Sequence, residues 1–437
     1  MSNAKIASFT QQWRLYLVLF VMFLCVVAIG WKVSALHIIE RDFLQSQGDA
    51  RTIRTVPLVA NRGVITDRNG EPLAVSSPVK SIWVNPQEIG NKPSQIQRLA
   101  MELQLDVTSL QEAIVRNARR EFLYVKRRLA PAEAERVLAL DIDGVYDQQE
   151  YQRFYPQGEV AAHLVGFSNV DDVGQEGLEL TYDEWLQGVP GRRQVIKDRR
   201  GHIIEELNTI QTAQPGKNLE LSIDFRLQSL AYKELKEEFI TRRAKSASIV
   251  VLDVDTGEVL AMANQPSYNP HNRGNLTDFS VLRNRAITDV FEPGSPIKAF
   301  TVTAALESGS YVPDTVIETG PGWMMVEGKE VQDILNYGTL DLTRVITKSS
   351  NIGASKIAFD IGAEAIRNVL ERVGMGQVSG TGFPGEQGGV LPNHRRWSRI
   401  ETATFSFGYG LSTTALQLAQ AYSVIADDGI RKPVSLL

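Results

Sequence analysis

Six residues, Pro293-Gly294-Ser295-Pro296-Ile297-Lys298, place a hydroxyl and an amine where one could deprotonate the other. Pro296 suits the first position of a helix, where its fixed φ helps and its missing N–H costs nothing. Ser295 is then the predicted N-cap, and Ala299 to Leu306 continues as a helix-forming run. Residues three apart share a helix face, so the Lys298 amine reaches the Ser295 hydroxyl. That is the geometry of a serine nucleophile with a lysine base. A lysine accepts a proton only when neutral, and its ordinary pKa is about 10.4. Lowering it to about 7 costs roughly 4 kcal/mol, and burial and the positive end of the helix dipole both push that way. The same dipole, with backbone N–H groups, favours a developing oxyanion.

Ser-x-x-Lys is a weak string, and the chain holds it as Ser2/Lys5, Ser77/Lys80 and Ser295/Lys298. The first lies in a basic tail ahead of a hydrophobic span. The second sits in a strand-like segment, where positions three apart face opposite ways. Only the third opens a helix after a Pro-Gly turn. Downstream, Thr347-Lys348-Ser349-Ser350-Asn351 places a serine and an asparagine two apart. From a loop between helices, the hydroxyl could relay a proton and the amide could hold a peptide-like substrate. Ser267-Tyr268-Asn269 has the same spacing and reads as an ordinary turn. Gly380-Thr381-Gly382-Phe383-Pro384-Gly385 matches a dinucleotide fingerprint but has no strand before it and no helix after it. The histidines, His37, His163, His202, His271 and His394, show no metal spacing. No cofactor and no metal are expected.

These residues need a scaffold. The chain has 437 residues, 43% of them hydrophobic, enough for two or more cores. A net charge of −5 and a pI near 5.7 argue against general nucleic-acid affinity. The basic clusters at Arg116–Arg120 and Lys126–Arg128 are followed by acids and read as solvated faces. Leu15 to Trp31 is an uninterrupted apolar run between Arg14 and Lys32. As a helix it spans about 26 Å, enough for a bilayer with snorkelling ends, with Trp13 and Trp31 at the interfaces. The tail before it carries Lys5 and Arg14 and no acid, so it should stay cytoplasmic. Ala28-Ile29-Gly30 is small-x-small, yet the span exceeds a usual signal h-region and bulky Trp31 would follow the cut. A retained anchor is the reading. Cys25, the sole cysteine, lies inside the span, so the exported part has no disulfide and no cysteine chemistry.

After the anchor, Leu36 to Arg54 reads as a polar helical stalk. Short β-like runs follow at Val64–Thr66 and Pro72–Val75 around an Asp67-Arg68-Asn69-Gly70 turn. Ile96 to Ala130 and Pro131 to Ala139 read as helical, and Arg192–Lys197 and Leu219–Ile223 as β-like. A second texture begins near Asp224. Asp224 to Arg243 is helical, with apolar Leu227, Leu230, Leu235 and Phe239. Ser248–Asp253 and Glu258–Ala263 form a hairpin over Asp255-Thr256-Gly257. From Lys298 onward the pattern is mostly helical, with an irregular segment at Gly374–Ser398.

Ser295/Lys298 followed by Ser349-Ser350-Asn351 is the ordered pair of motifs that opens the active site of penicillin-binding proteins and serine β-lactamases. Arg62 to Gly70 resembles the first signature of the class B, monofunctional penicillin-binding proteins. His163–Gly166, Gly174–Glu179 and Lys197–Gly201 are similar to later signatures of their non-catalytic pedestal domain. Thr381–Glu386, Leu391–Trp397 and Phe407–Gly410 resemble the septal, cell-division (FtsI) type. The similarity covers essentially the whole chain from the anchor onward.

The resemblance implies an α+β multidomain fold. It has a single N-terminal transmembrane helix, an elongated α+β pedestal and a serine β-lactamase-like transpeptidase domain of helices packed on an antiparallel sheet. The implied division is a cytoplasmic tail at 1–14, an anchor at 15–35, stalk and pedestal at 36–223 and the transpeptidase domain at 224–437. The implied activity is septal peptidoglycan D,D-transpeptidation in the periplasm, from an anchor in the bacterial inner membrane. Ser295 would attack the D-Ala–D-Ala bond and form an acyl-enzyme, with Lys298 its base. Ser349 would assist proton transfer, Asn351 would position substrate, and Glu292 and Tyr409 would border the pocket. Implied partners are stem peptides, β-lactams and division-complex membrane proteins, including a glycan-polymerising glycosyltransferase. The family's third motif, Lys-Thr-Gly or Lys-Ser-Gly, occurs nowhere in the sequence. A chain truncated at the C-terminus, lacking its C-terminal strands and poorly folded or inactive, is the corresponding expectation. The alternatives are a non-catalytic division scaffold, or a D,D-carboxypeptidase or β-lactamase in which water resolves the ester.

Overall fold

A computed structural model describes residues 3–41, 53–90, 92–197, 203–274 and 276–437. It divides into two compact units. One comprises residues 1–59, 80–149 and 190–214; the other comprises 60–79, 150–189 and 215–437. Residues 42–52 of the expected stalk, residues 198–201 of the Lys197–Gly201 signature, and Ser2 lie outside the described residues.

The first unit opens with the helix Asn3–Ser34, continued by one π-helical turn at Ala35–Ile39. Within it, Trp13–Ile38 is long and apolar enough to cross a membrane. Ile53–Leu58 pairs antiparallel with Gly191–Lys197, which pairs on its other side with Ile203–Gln211. A separate core forms where the second half of the strand Pro72–Val84 pairs with Leu123–Leu129. The helices Pro93–Leu103, Val107–Arg116 and Pro131–Leu138 cover it, burying Ile82, Val84, Ile96, Leu99 and Ile114. Pro93 and Pro131 each take a first-turn position, and the Asp106 carboxylate accepts from the Ser109 N–H at 2.7 Å as an N-cap.

Helix is therefore not continuous from Ile96 to Ala130. It stops at Arg116, and Leu123–Leu129 is a strand. Basic side chains on that strand mask its β character: Lys126 leaves the apolar pattern because its ammonium donates to the Leu103 carbonyl at 2.9 Å. The run expected at Pro72–Val75 likewise extends to Val84.

The second unit carries the chemistry. Ile65–Thr66 pairs with the first half of Pro72–Val84 and, in parallel, with Leu219–Glu220. Beside it Arg62 is 1% exposed, donating to Glu179 Oε2 at 2.6 Å and Asp183 Oδ1 at 2.7 Å. Arg153 donates to the other oxygen of Glu179 at 2.6 Å. Gly63 follows because a Cβ there would lie 1.9 Å from the Lys217 carbonyl oxygen. The Arg62-Gly63 signature is thus a buried ionic knot with a close backbone crossing.

The expected hairpin is Ala247–Leu252 and Val259–Gln265, antiparallel. Asp253 Oδ1 fixes its turn by accepting from the N–H groups of Asp255 and Thr256. The helix Phe225–Thr241, capped by Asp224, lies against this hairpin through Ala231, Tyr232 and Leu235. Leu227 and Leu230 are exposed instead, because the buried face is set by Gln228, which bonds to the Val160 and Met262 carbonyls. The helix Ala415–Ala426 also packs on the hairpin, and Ser435 bridges in parallel to Glu258. Beyond Lys298 the chain is less purely helical than its pattern suggests. It adds a hairpin, Trp323–Val326 with Lys329–Gln332, and a short pair, Ile317–Glu318 with Thr339–Leu340. Gly374–Ser398 is irregular.

Candidate active site

Gly294 adopts φ 66°, ψ −138°, a conformation open to glycine. The chain then makes one 3-10 turn, Ser295–Ile297, and runs directly into the helix Lys298–Glu307. Ser295 is therefore inside the first turn and Gly294 holds the cap position, one residue earlier than the sequence predicts. The consequence is chemical. A capping serine spends its oxygen on backbone N–H groups, whereas Ser295 makes no capping bond and its hydroxyl remains available.

Long-range contacts hold this turn rigid. Phe300 is fully buried, the Tyr422 hydroxyl donates to the Pro296 carbonyl at 2.7 Å, and Thr301 Oγ1 donates to the Ser406 carbonyl at 2.7 Å. On the other side, Phe291 and Thr413 exchange two backbone hydrogen bonds of 3.0 Å, and Gly294 donates to the Gly408 carbonyl at 3.0 Å. Gly408 must be glycine, since a Cβ would lie 2.0 Å from the Gly294 oxygen. Glu292 completes this docking: its Oε1 accepts from the Gly410 N–H at 2.9 Å. Tyr409, 50% exposed, rests edge-on against Phe407.

Lys298 is 2% exposed. Its Nζ lies 3.1 Å from Ser295 Oγ, 2.9 Å from Ser349 Oγ and 2.6 Å from the Ser349 carbonyl oxygen. The two hydroxyl oxygens are themselves 2.9 Å apart. Nitrogen and both oxygens thus form a closed triangle in which a proton can move between any two members. Burial lowers the Lys298 pKa to about 8, opposed by the negative charge of Asp333. A poised base, neutral in a useful fraction near neutral pH, is the result.

Ser349 reaches the triangle at a backbone cost. It sits at φ 57°, in the left-handed region, which costs a non-glycine residue roughly 1–2 kcal/mol. Ser350 then caps the helix Asn351–Ile361 by accepting from the Gly353 N–H at 2.8 Å. Asn351 is the first residue of that helix. Its Nδ2 donates to the Gln332 carbonyl at 3.0 Å, and its side-chain carbonyl has no partner among the described residues. That oxygen can accept from a peptide N–H.

Asp333 holds the loop and is absent from the sequence reading. Its carboxylate accepts from Ser350 Oγ at 2.6 Å and from the N–H groups of Asn351 and Ile352 at 2.6 and 3.0 Å. It lies 18 residues from Asn351, beyond a hairpin, and no local pattern marks it. Asp333→Asn should loosen the loop and cut acylation of Ser295 about 10- to 100-fold. It should also move the pH–rate midpoint below 8, because the charge that raises the Lys298 pKa is gone. A pH profile of the acylation rate checks both. An unshifted midpoint with an unchanged rate would contradict this role.

Three comparisons bear on the family. The penicillin-binding protein transpeptidase domain matches residues 247–437, and the penicillin-binding protein dimerisation domain matches 57–221. The probable peptidoglycan D,D-transpeptidase PbpC of Pseudomonas aeruginosa is 44% identical over 98% of this chain and 75% of its own length. The peptidoglycan D,D-transpeptidase FtsI of Escherichia coli is 43% identical over 97% of this chain and 72% of its own. Among solved structures, penicillin-binding protein 3 of Mycobacterium tuberculosis complexed with aztreonam superposes with a TM-score of 0.63. It is 28% identical, over 87% of this chain and 67% of that one.

Proposed function

The chain belongs to the class B penicillin-binding proteins of the FtsI type, and on that footing we propose that Ser295 is the residue it acylates. The protein is a serine-type peptidoglycan D,D-transpeptidase that cross-links stem peptides at the division septum and is a target of β-lactams. The observation that carries the site assignment is the triangle of Ser295 Oγ, Lys298 Nζ and Ser349 Oγ, with every edge between 2.9 and 3.1 Å.

Neutral Lys298 takes the Ser295 proton as Oγ attacks the D-Ala–D-Ala carbonyl. Developing negative charge meets the positive end of the helix that starts at Lys298. Ser349, between Lys298 and the outgoing D-alanine, passes the proton to the leaving amine. Asn351 accepts from the donor peptide backbone, and Glu292 and Tyr409 border the pocket. The amine of a second stem peptide then attacks the ester and frees Ser295.

The apolar N-terminal helix is a membrane anchor. It crosses the bacterial inner membrane once, with the short tail cytoplasmic and the catalytic domain periplasmic. The working division is tail 1–14, anchor 15–35, stalk and pedestal 36–223 and transpeptidase domain 224–437. The protein works among division-complex membrane proteins, including a glycan-polymerising glycosyltransferase.

The test is product analysis with the full-length protein, a stem pentapeptide donor and an amine-bearing stem peptide acceptor. Cross-linked dimers with release of D-alanine are expected. Tetrapeptide alone, the product of water attack, would move the assignment to a carboxypeptidase.

A further inference from the structure

Asp333 sits at the foot of the hairpin Trp323–Val326 with Lys329–Gln332, and the first strand of that hairpin walls a second pocket. The pocket has a volume of about 450 Å³ and lies between this strand and the helix Asn351–Ile361. Lys356, Phe359 and Asp360 line it from one face of the helix, at spacings of three and four. Arg399, the first residue of the helix Arg399–Ser406, joins them, and no member of the hydroxyl triangle lines it.

We propose that this pocket binds a small carboxylate carried on an apolar body, and that its occupancy speeds acylation of Ser295. The site is separate from the one that takes the peptides, and its ligand acts as an effector. Four observations lead to it.

First, the floor is apolar. Met324 and Phe359 pack, half-buried, against the cluster that contains buried Val326. A thioether beside a ring adapts to an apolar guest of irregular shape. Second, the cations in the lining lack acidic partners. The Arg399 guanidinium lies 4.2 Å over the Phe359 ring and makes no hydrogen bond or ion pair among the described residues. Stacking covers its face and leaves its in-plane N–H fork available to a carboxylate. The Lys356 ammonium donates to the Glu318 carbonyl and meets no carboxylate among the described residues.

Third, the acids in the lining are already engaged. Glu327 Oε2 accepts from the Ile400 N–H at 3.1 Å, and Asp360 accepts from the Tyr311 hydroxyl. The unmatched capacity of the pocket is therefore all donor, and its ligand must be an acceptor. The two neighbouring carboxylates disfavour a doubly charged phosphate, and the apolar floor favours a guest with a hydrocarbon body over a bare ion.

Fourth, both walls end on the loop that carries Ser349 and Asn351. The Asp333 N–H donates to the carbonyl of Gly322, just ahead of the first strand, at 3.0 Å. The Asp333 carboxylate accepts from the N–H groups of Asn351 and Ile352, which open the helix bearing Lys356 and Phe359. A guest that touches hairpin and helix together binds best when the two are closed on each other. It thereby favours the arrangement in which Asp333 grips the loop and Ser349 meets Lys298.

The experiment uses the full-length protein in detergent with three probes: 3-phenylpropionate, its neutral amide 3-phenylpropanamide, and inorganic phosphate. Calorimetry reads binding. Acylation by a fluorescent penicillin is read as the ratio of rates with and without probe, so a change in the basal rate of a variant cancels. The acid should bind the unaltered protein about fivefold more tightly than the amide. R399Q should weaken the acid about fivefold and leave the amide unchanged, and K356Q should weaken the acid similarly, so the result does not hang on one variant. Saturating 3-phenylpropionate should speed acylation about fivefold in the unaltered protein and leave R399Q, at the same concentration, less affected. Equal affinity for acid and amide, or displacement of the acid by an equal concentration of phosphate, would overturn the ligand assignment. Selective binding of the acid with an unchanged acylation rate would overturn the effector role. Selective binding by a protein that never acylates would instead overturn the transpeptidase reading and leave the pocket assignment standing.

Discussion

Replacing Lys298 with methionine should slow acylation of Ser295 by about a thousandfold at pH 7.5 without lowering the melting temperature. The kinetic part follows from position. Lys298 Nζ is the only amine in contact with Ser295 Oγ among the described residues, and the neighbouring Ser349 hydroxyl is no base by itself. Oxyanion stabilisation and binding survive in the variant, which is why the loss is finite.

The stability part follows from burial. Lys298 is 2% exposed, and its ammonium contacts only the two hydroxyls and the Ser349 carbonyl, with no carboxylate in salt-bridge contact among the described residues, so its charge is a cost to the fold. Its pKa falls from 10.5 to about 8 on folding. Between those values the unfolded chain holds the proton and the folded chain has released it. Stability therefore rises with pH across that window, and the full penalty is present below about pH 8. Methionine fills similar volume with no charge and removes that penalty, offsetting the lost contacts to Ser349. In the unaltered protein the same titration makes acylation climb with pH through about 8 and level off above it. Stopped-flow acylation across pH, beside thermal melting of both proteins, checks all of these outcomes. A variant that acylates within tenfold of the original would remove Lys298 from the role of base.

Glu179→Ala should have the largest effect on folding, lowering stability by about 3–5 kcal/mol and the melting temperature by roughly 10 °C. Glu179 is fully buried and is the shared acceptor of two arginines that are themselves almost wholly buried. Removing it leaves Arg153 with no carboxylate in contact among the described residues and a guanidinium that cannot shed its proton. Arg62 keeps Asp183 and the carbonyl of Asp172, so a double variant with Arg153→Met should recover part of the loss. Thermal melting of the full chain in detergent measures both. A loss below 1 kcal/mol for Glu179→Ala would show that the knot is not a keystone of this unit.

These two predictions differ in how visible their residues are beforehand. Ser295 and Lys298 are three residues apart at a helix start, so helical geometry alone brings them together. The hairpin over Asp255-Thr256-Gly257 was legible for the same reason, since its signal is local. Glu179 is separated from Arg62 by 117 residues, and nothing in either stretch says that the charges meet in a core. Asp333 is hidden in the same way, because a carboxylate receiving three hydrogen bonds from a remote loop reads as an ordinary surface acid. Leu123–Leu129 misled for another reason. Its basic residues imitate a polar helix face, and only its pairing with Pro72–Val84 makes it a strand. The cap at Ser295 was misplaced by one residue because Gly294, with its positive φ, can start the turn by itself.

The central claim is that Ser295 is the nucleophile of a site assembled by Lys298 and Ser349. The most direct measurement is labelling of the full-length protein by a fluorescent penicillin, with Ser295→Ala as control and the adduct located by peptide mass spectrometry. The account predicts one label per chain, carried on the peptide that contains Ser295, and none on the variant. A label that persists in Ser295→Ala, or that maps to another residue, would contradict it.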